Sequence, residues 1–320
     1  MGRRRPFRRT RQRLELLLLR AAGRYARWVS FERASDTGAA AGALAAGLLA
    51  RRRRVAEENL RRSLGEHPSG STPEALAREA FRQLGRSFFE FLALPAQEPG
   101  DLLARVEFVG WEPILSRVRE GKGAIMVTAH FGNWELLGAA FGMLTGGRVK
   151  YLLPAQTNEG SDRYLNEVRR KLGIEPLTIG YGMRSGLRAL REGSFLGMLP
   201  DQDARKAGIH VPFFGKAAST HTGPARLAAR TGAPIGVGVI ERTGRGRFRA
   251  RLRRVLVPDP RAPEEAEVER LTREMTAEIE AAIRERPDHW YWIHRRWKTP
   301  PPDRSAAATT APAATTPATT

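Results

Sequence analysis

Two patterns of apolar residues alternate along the middle of the chain. Short unbroken apolar runs, such as residues 123–129, are typical of strands buried on both faces in a parallel sheet. Between these runs, apolar residues recur every three or four positions, the spacing of one face of a helix. The strand candidates are 123–129, 149–153, 194–199, 234–240 and 248–257, and the helix candidates between them are 133–144, 162–172, 184–191 and 222–231. This alternation predicts an α/β fold, with a largely parallel central sheet flanked by helices.

A helix start precedes this region, and a low-complexity tail follows it. Residues 71–74 combine a hydroxyl cap, a proline and an acid, and apolar residues at helical spacing then continue until Pro95. No linker is long enough to divide the core, so we assign residues 63–302 to one domain. From residue 306 onward the chain contains only Ala, Thr and Pro. Because such a segment cannot bury a core, we predict that the tail 303–320 is disordered.

The start of the chain is strongly basic. The 320 residues contain 54 Lys and Arg against 34 Asp and Glu, a formal net charge of +20, and residues 1–62 hold 17 Arg and 5 acids. The apolar stretches 14–19 and 39–50 are shorter than the roughly 20 residues of a transmembrane helix. No cleavage site follows a clear apolar region, so we do not expect a secretory signal peptide. We predict that residues 1–62 form a basic helical segment that lies on an anionic membrane surface. An ordinary surface helix of a basic protein, or a poorly ordered Arg-rich start, is the alternative.

A second basic group has the period of a strand. Arginines occupy alternate positions, which predicts a strand with one basic face and one buried face: Arg245, Arg247, Arg249, Arg251 and Arg253. The basic face is either an ordinary solvated surface near a sheet edge or a surface that attracts phosphate. The total charge also fits nucleic acid. A nucleic-acid-binding protein and a non-catalytic lipid-surface protein are therefore alternatives to an enzyme.

One histidine and one acid are the first candidates for chemistry. His130 and Glu135 follow the strand 123–129, at the end of a strand where α/β proteins bind ligands. Glu135 could accept a hydrogen bond from one imidazole nitrogen and leave the other nitrogen to take a proton. An ordinary capping histidine and first-turn acid are the alternative. Cysteine is absent, which excludes disulfides, thiolate metal sites and a cysteine nucleophile. We expect neither a metal nor a cofactor.

Several motifs follow in a recognisable order. They are His-Phe-Gly-Asn-Trp-Glu at 130–135, Pro-Asp-Gln-Asp at 200–203, Pro-Phe-Phe-Gly at 212–215, Gly-Pro-Ala-Arg at 223–226 and His-Trp-Tyr-Trp-Ile-His at 289–294. Together with Asn59 and Arg184, they make the sequence similar to the late acyltransferases of lipid A biosynthesis, the lauroyl and myristoyl transferases. That family lies in the lysophospholipid acyltransferase superfamily. The resemblance extends from about residue 50 to residue 300.

The resemblance implies a membrane-bound acyltransferase at the cytoplasmic face of the bacterial inner membrane. It would move a fatty acyl chain from acyl carrier protein, or acyl-CoA, to a hydroxyl of a glycolipid, with a lipid A precursor as the first acceptor. The motif at 130–135 is also close to that of phosphatidylinositol mannoside acyltransferases, so that acceptor, or another lysophospholipid, is the alternative. Acyl carrier protein is acidic and lipid A precursors carry phosphates, so a basic protein suits both partners. No specific nucleic-acid partner is expected.

The resemblance also implies roles for individual residues. His130 would be the general base and Glu135 its partner. The candidates for substrate binding or oxyanion contact are Arg184, Thr220 and Arg226, to which we add Asp201 and Asp203. Both aspartates could instead be loop acids that shape a turn. Phe213 and Phe214 would pack or line an acyl chain. Trp290, Trp292 and Trp297 could form an interfacial belt or a base-stacking surface, and the resemblance favours a structural or membrane role for them.

Overall fold

The computed structural model describes residues 4–65, 70–154, 157–178 and 182–302. These residues form eleven α-helices and nine strands, besides short 3-10 turns. The helices are α1 (Arg4–Trp28), α2 (Phe31–Leu48), α3 (Ala50–Leu64), α4 (Pro73–Ala93), α5 (Pro99–Ala104), α6 (Glu112–Arg119), α7 (Trp134–Leu144), α8 (Glu159–Lys171), α9 (Gly182–Arg191), α10 (Gly223–Thr231) and α11 (Glu264–Glu285). The strands are β1 (Val106–Val109), β2 (Ala124–Val127), β3 (Val149–Leu153), β4 (Ile174–Thr178), β5 (Phe195–Met198), β6 (Ile209–Phe213), β7 (Lys216–Thr220), β8 (Ile235–Gly244) and β9 (Arg247–Leu256). The predicted tail 303–320 lies outside the described residues.

A seven-stranded sheet forms the centre of the protein, in the order β1-β9-β8-β2-β5-β3-β4. Its neighbouring strands are parallel except for the antiparallel pair β8 and β9, which confirms the predicted α/β fold. The neighbours β2 and β5 end side by side, where the Thr128 N–H donates to the Met198 carbonyl at 3.1 Å. This order brings the residues that follow β2 next to those that follow β5.

The predicted elements occur close to their expected places. The strand candidates correspond to β2, β3, β5, β8 and β9, and the helix predicted from residues 71–74 is α4. Thr72 caps this helix by accepting a hydrogen bond from the Ala75 N–H, with Pro73 in the first turn. The antiparallel hairpin of β6 and β7, the edge strands β1 and β4, and α11 have no counterpart in the prediction.

The N-terminal helices pack on the rest of the protein. Gly38 and Gly42 of α2 lie against the backbone of α4 at Gly85 and Phe81, where an added Cβ would collide with a carbonyl oxygen. The Ala- and Gly-rich stretch therefore forms a close helix contact, because small residues let two helix backbones approach. Within the described residues, no helix is both long and apolar enough to cross a bilayer. The domain boundary at residue 62 stays a prediction.

The first two helices also carry apolar side chains on the face that points away from the protein. The most exposed is Trp28 of α1, at 82%, and Leu48 of α2 is 74% exposed. At about 100° per residue, these side chains share one side of each helix, opposite its packed side. We call them the outer stripe: Leu14, Leu17, Leu18, Trp28, Leu44 and Leu48. Exposed arginines flank the stripe on α1: Arg11, Arg13, Arg20 and Arg24.

Strand β9 has the predicted basic face and buried face, and most of its arginines are paired with acids. Phe248 and Ala250 are buried, which confirms the alternation. The ion pairs on the other face include Arg249 with Glu107, Arg251 with Glu285, Arg253 with Glu278 and Glu285, and Arg254 with Glu274. Most of these acids belong to α11. Arg247 is exposed and donates to the Ala104 carbonyl instead. Because the other arginines of this face already have acidic partners, the face gives little support to a nucleic-acid-binding surface.

Candidate active site

The histidine of the 130–135 motif lies in a tight turn between β2 and α7. Asn133 caps α7, since its side-chain oxygen accepts a hydrogen bond from the Leu136 N–H at 3.0 Å. Gly132 has a φ of 56°, and a Cβ there would collide with the Ile240 carbonyl. The turn therefore requires glycine at this position. These local constraints hold His130 at the carboxyl end of the central strands.

A C-terminal segment holds the same turn from the other side. The Gly132 N–H donates to the His289 carbonyl at 2.9 Å, and the Tyr291 N–H donates to the His130 carbonyl at 3.0 Å. The Ser87 hydroxyl of α4 donates to the Gly132 carbonyl at 2.9 Å. The motif at 289–294 therefore belongs to the structure that positions His130.

Asp201 is the hydrogen-bond partner of His130. Its Oδ1 lies 2.8 Å from His130 Nδ1, and its Oδ2 accepts from the His130 N–H and from Trp290 Nε1, both at 2.9 Å. The Asp201 side chain is 1% exposed, whereas that of His130 is 25% exposed. An ionised carboxylate only accepts hydrogen bonds, so in the neutral ring Nδ1 carries the hydrogen and Nε2 carries the lone pair. The pair forms because β2 and β5 are neighbours in the sheet.

The predicted hydrogen bond between Glu135 and His130 is wrong. Glu135 lies in the first turn of α7 and faces α8, where Arg169 Nη2 donates to Oε1 at 2.5 Å and Arg169 Nε lies 3.2 Å from both carboxylate oxygens. Both residues are buried. The helix begins one residue before Glu135, so the side chain turns away from the loop that holds His130.

The charges around His130 favour its protonated form. Burial of the ring lowers the pKa of His130, but the charge and hydrogen bond of Asp201, helped by the charge of Glu135, raise that pKa above its ordinary value. Burial would raise the pKa of Asp201, but His130 and the donors around the carboxylate lower it to about 2. The site therefore stabilises an imidazolium next to a carboxylate that stays ionised.

Three side chains lie next to the His130 ring, and one of them contacts Nε2. The Gln202 amide nitrogen lies 3.4 Å from Nε2. The Trp134 ring has its centroid 5.1 Å from that of His130, and the Tyr291 ring lies at 5.8 Å. This arrangement suits a base that removes a proton from a hydroxyl brought to the open side of the ring.

Asp203 stabilises the neighbouring loop. Its carboxylate accepts from the Thr299 N–H at 3.2 Å and from the Thr299 hydroxyl at 2.9 Å, and its own N–H donates to His294 Nε2 at 3.0 Å. This supports the interpretation of Asp203 as a loop acid that shapes a turn. Since a carboxylate carries negative charge, neither Asp201 nor Asp203 suits an oxyanion contact.

The other candidates have no contact with His130. The Thr220 hydroxyl is buried and accepts from Arg296 Nη2 at 2.6 Å. Arg226 pairs with Glu265 of α11 at 2.8 Å, and Arg184 is exposed near the start of α9. Within the described part of the chain, no hydrogen bond, ion pair or ring contact joins Thr220, Arg226 or Arg184 to His130. Their binding roles stay predictions.

The aromatic residues near the C-terminus belong to the core. Trp290 and Trp292 are 2% and 1% exposed, and Phe213 and Phe214 pack against them. The interpretation of these two tryptophans as an interfacial belt or a base-stacking surface is wrong, because their rings do not reach the surface. Trp297 is half-buried against Phe213.

Buried groups that the motifs do not indicate support the site. Glu90 of α4 is fully buried, and it accepts from both terminal nitrogens of Arg242 at 2.6 and 2.8 Å and from Asn133 Nδ2 at 2.8 Å. It thereby holds the residue that caps α7. Gln202, by contrast, lies within the 200–203 motif, although no role was predicted for it. The pairs made by Glu90 and Arg169 have no local signal, since their partners are distant along the chain.

Comparisons with known proteins agree with the family resemblance seen in the sequence motifs. The family described as bacterial lipid A biosynthesis acyltransferase matches residues 2–299. A phosphatidylinositol mannoside acyltransferase of Mycolicibacterium smegmatis is 29% identical over 210 residues, which cover 63% of this chain and 69% of that protein. The lipid A biosynthesis palmitoleoyltransferase of Escherichia coli is 25% identical over 269 residues, 83% of this chain and 85% of that protein. The E. coli lipid A biosynthesis lauroyltransferase is 26% identical over 267 residues, 82% of this chain and 85% of that protein.

Proposed function

Because the chain belongs to the bacterial lipid A biosynthesis acyltransferase family, we propose that it transfers a fatty acyl chain from a thioester donor to a hydroxyl of a phosphate-bearing glycolipid. The donor is acyl carrier protein, or acyl-CoA. One observation carries the proposal: His130 Nδ1 is held 2.8 Å from the buried Asp201, so the lone pair that can take a proton is on Nε2 of a ring that is partly exposed. The base of the reaction is therefore His130, with Asp201 rather than Glu135 as its hydrogen-bond partner.

The proposed reaction needs a single proton carrier. Nε2 of His130 takes the proton of the acceptor hydroxyl while the hydroxyl oxygen attacks the thioester carbonyl carbon. The tetrahedral intermediate then collapses, the C–S bond breaks, and the imidazolium returns its proton to the thiolate that leaves. Asp201 stabilises the imidazolium between these steps. A positioned base contributes about 10²- to 10⁴-fold in rate. In this scheme the acyl group passes directly to the acceptor, and no acyl-cysteine can form because the chain has no cysteine.

Two acceptors are the specific candidates. A lipid A precursor is supported by relatives with lipid A names that match 82–83% of this chain. A phosphatidylinositol mannoside is supported by a relative with that name, whose identity is higher, 29%, over a shorter part of the chain. Both acceptors offer a sugar hydroxyl and a phosphate, so the same base serves either one.

The outer stripe supports a location at a membrane surface. Leucine and tryptophan side chains can insert between lipid headgroups, and the arginines that flank them on α1 can bind anionic headgroups. A helix pair that lies on the bilayer in this way brings a lipid acceptor to the catalytic domain without crossing the membrane. We place the enzyme at the cytoplasmic face of the bacterial inner membrane, where it meets acyl carrier protein.

The test is acyl transfer by purified protein, with both glycolipids offered and the products weighed by mass spectrometry. Replacing the base, in His130→Ala, should lower transfer by about 10²-fold or more, while the circular dichroism spectrum and vesicle binding stay unchanged. The control is His210→Ala, which removes a histidine from the β6–β7 hairpin and should keep transfer. Unchanged transfer in His130→Ala contradicts the proposed base. No product from the unaltered protein with either acceptor contradicts the proposed function.

A further inference from the structure

The first turn of α3 carries basic side chains that the proposed reaction does not use. Residues 51–54 are four consecutive arginines, of which Arg53 pairs with Glu57 at 3.0 Å. Arg51, Arg52 and Arg54 are exposed, and none of them has an ion-pair partner within the described residues. The start of α3 therefore presents three arginines that are available to bind an anion.

Helix α3 is hydrogen-bonded to the C-terminal segment that contacts the turn of His130. The side-chain amide of Asn59 donates to the carbonyls of Trp292 and His294, both at 2.8 Å. Asn59 is buried, as are Ala56 and Leu60 on the same side of the helix. This side of α3 therefore faces the C-terminal segment that includes Tyr291, whose ring lies beside His130.

The period of the helix singles out Arg52 among the unpaired arginines. Arg52 precedes Asn59 by seven residues, which is about two helical turns. It therefore points within about 20° of the direction of Asn59 and lies about 10 Å nearer the start of α3. Arg51 and Arg54 are turned away by roughly 80° and 140° from Asn59. Arg52 is therefore the unpaired arginine on the side of α3 that faces the active-site segment.

An electrostatic effect agrees with this placement. Burial raises the pKa of the Tyr291 hydroxyl, and the positive charge of Arg52 acts against that increase. Arg52 is thus close enough to influence the residue whose ring lies 5.8 Å from that of His130. Leu48 and Leu49, just before α3, are 74% and 49% exposed, so Arg52 also lies beside the end of the outer stripe. Arg52 is therefore close both to the outer stripe and to the tyrosine beside His130.

We propose that Arg52 is a positioning residue that binds the phosphate group of the glycolipid acceptor while an acceptor hydroxyl reaches Nε2 of His130. This inference rests on the proposed function and names the part of the substrate that Arg52 recognises. A guanidinium suits the task, since its planar donors match two oxygens of a phosphate. Arg52 lies next to the apolar end of α2, so it would be at the level of the lipid headgroups when the outer stripe is inserted in the bilayer.

The experiment compares Arg52→Gln with Arg54→Gln, which removes the same charge from another side of the same helix turn. Transfer is measured in neutral detergent micelles at saturating acyl donor, with the lipid A precursor and the phosphatidylinositol mannoside as acceptors. We expect Arg52→Gln to raise the KM for the acceptor about tenfold, the effect of one lost hydrogen bond to a charged group. The kcat, the KM for the donor and binding to anionic vesicles should stay within about twofold. Arg54→Gln should behave like the unaltered protein, and Arg52→Lys should restore part of the acceptor affinity.

Each contrary result has a distinct meaning. An unchanged acceptor KM in Arg52→Gln overturns the proposal, and an equal rise in Arg54→Gln overturns it in favour of general charge attraction. A fall in kcat alone would show that Arg52 acts on the base, and a raised donor KM would assign it to the acyl carrier. Binding of each glycolipid in micelles, measured by calorimetry without donor, tests Arg52 independently of turnover. A protein that binds the glycolipid through Arg52 but never acylates it would refute the proposed function alone.

Discussion

Replacing Asp201 by asparagine removes the charge next to His130 with little change in side-chain size. The carboxylate accepts three hydrogen bonds, from His130 Nδ1, the His130 N–H and Trp290 Nε1. An asparagine side chain has only one oxygen to accept hydrogen bonds from these three donors. If that oxygen still accepts from the His130 backbone N–H and from Trp290 Nε1, the amide NH₂ faces Nδ1. Because two donors cannot face each other, the imidazole hydrogen must then be on Nε2. The variant then presents an N–H to the acceptor where the reaction needs a lone pair.

The expected loss follows from this change of tautomer. The same exchange in a serine protease triad lowers kcat by about 10⁴-fold. A general base is worth about 10²- to 10⁴-fold, so we expect Asp201→Asn to lower kcat by about 10³-fold. The KM should change little, because Asp201 is buried and does not reach the substrate. The free energy of unfolding should fall by about 1–3 kcal/mol, since the hydrogen bonds to a charged carboxylate are replaced by weaker ones to a neutral amide.

The assay is steady-state transfer from labelled acyl carrier protein to the accepted glycolipid, with urea unfolding measured in parallel. The matched control is Glu135→Gln, the same carboxylate-to-amide exchange within the 130–135 motif. Glu135 pairs with the buried Arg169, so this variant should lose up to about 3 kcal/mol of stability. Its kcat per folded molecule should fall much less than that of Asp201→Asn. An inactive Glu135→Gln beside an active Asp201→Asn would refute the assignment of Asp201 as the partner.

Three further predictions concern pH, membrane binding and stability. The kcat/KM should rise with pH to a plateau, with its midpoint above the ordinary value of 6.5, because neutral His130 is the active form and its pKa is raised; a pH-rate profile already flat at pH 6.5 would contradict this. The double variant Leu14→Glu, Leu17→Glu should lower flotation with anionic vesicles by about tenfold or more while transfer in micelles survives; unchanged flotation would exclude this part of the outer stripe as a membrane contact. Glu90→Ala should lower the free energy of unfolding by about 3–5 kcal/mol, because it leaves Arg242 partly buried without its partner; urea unfolding measures the loss, and a change below about 1 kcal/mol would show that the pair contributes little.

Local pattern was enough to predict most of the fold. The apolar run before His130 predicted β2, and residues 71–74 predicted the start of α4, because burial on both faces and capping leave direct traces in sequence. The edge strands β1 and β4 were missed, since they are short and only partly apolar. The Ala- and Gly-rich stretch indicated a short apolar segment, but its contact with Gly85 depends on a helix far along the chain.

The candidate active site also contains residues that could be predicted from local sequence and residues that could not. His130 could be predicted, because it ends a buried strand and begins a recognisable motif. Its partner could not, because Asp201 is 71 residues away along the chain and becomes a neighbour only through the sheet order. Glu135 was the nearer acid, but α8 supplies Arg169 to pair with it. Sequence proximity therefore favoured the wrong carboxylate.

The backbone contact between α2 and α4 has a consequence for how the enzyme selects a hydroxyl. Because Gly38 and Gly85 touch through their backbones, α2 cannot tilt without disturbing α4, which also holds the turn of His130 through Ser87. With the outer stripe seated in lipid as proposed, His130 stands at a set height above the bilayer. The distance of a hydroxyl from the bilayer would then decide its acylation. Among chemically similar hydroxyls on one glycolipid, the enzyme would acylate the one presented at the height of His130.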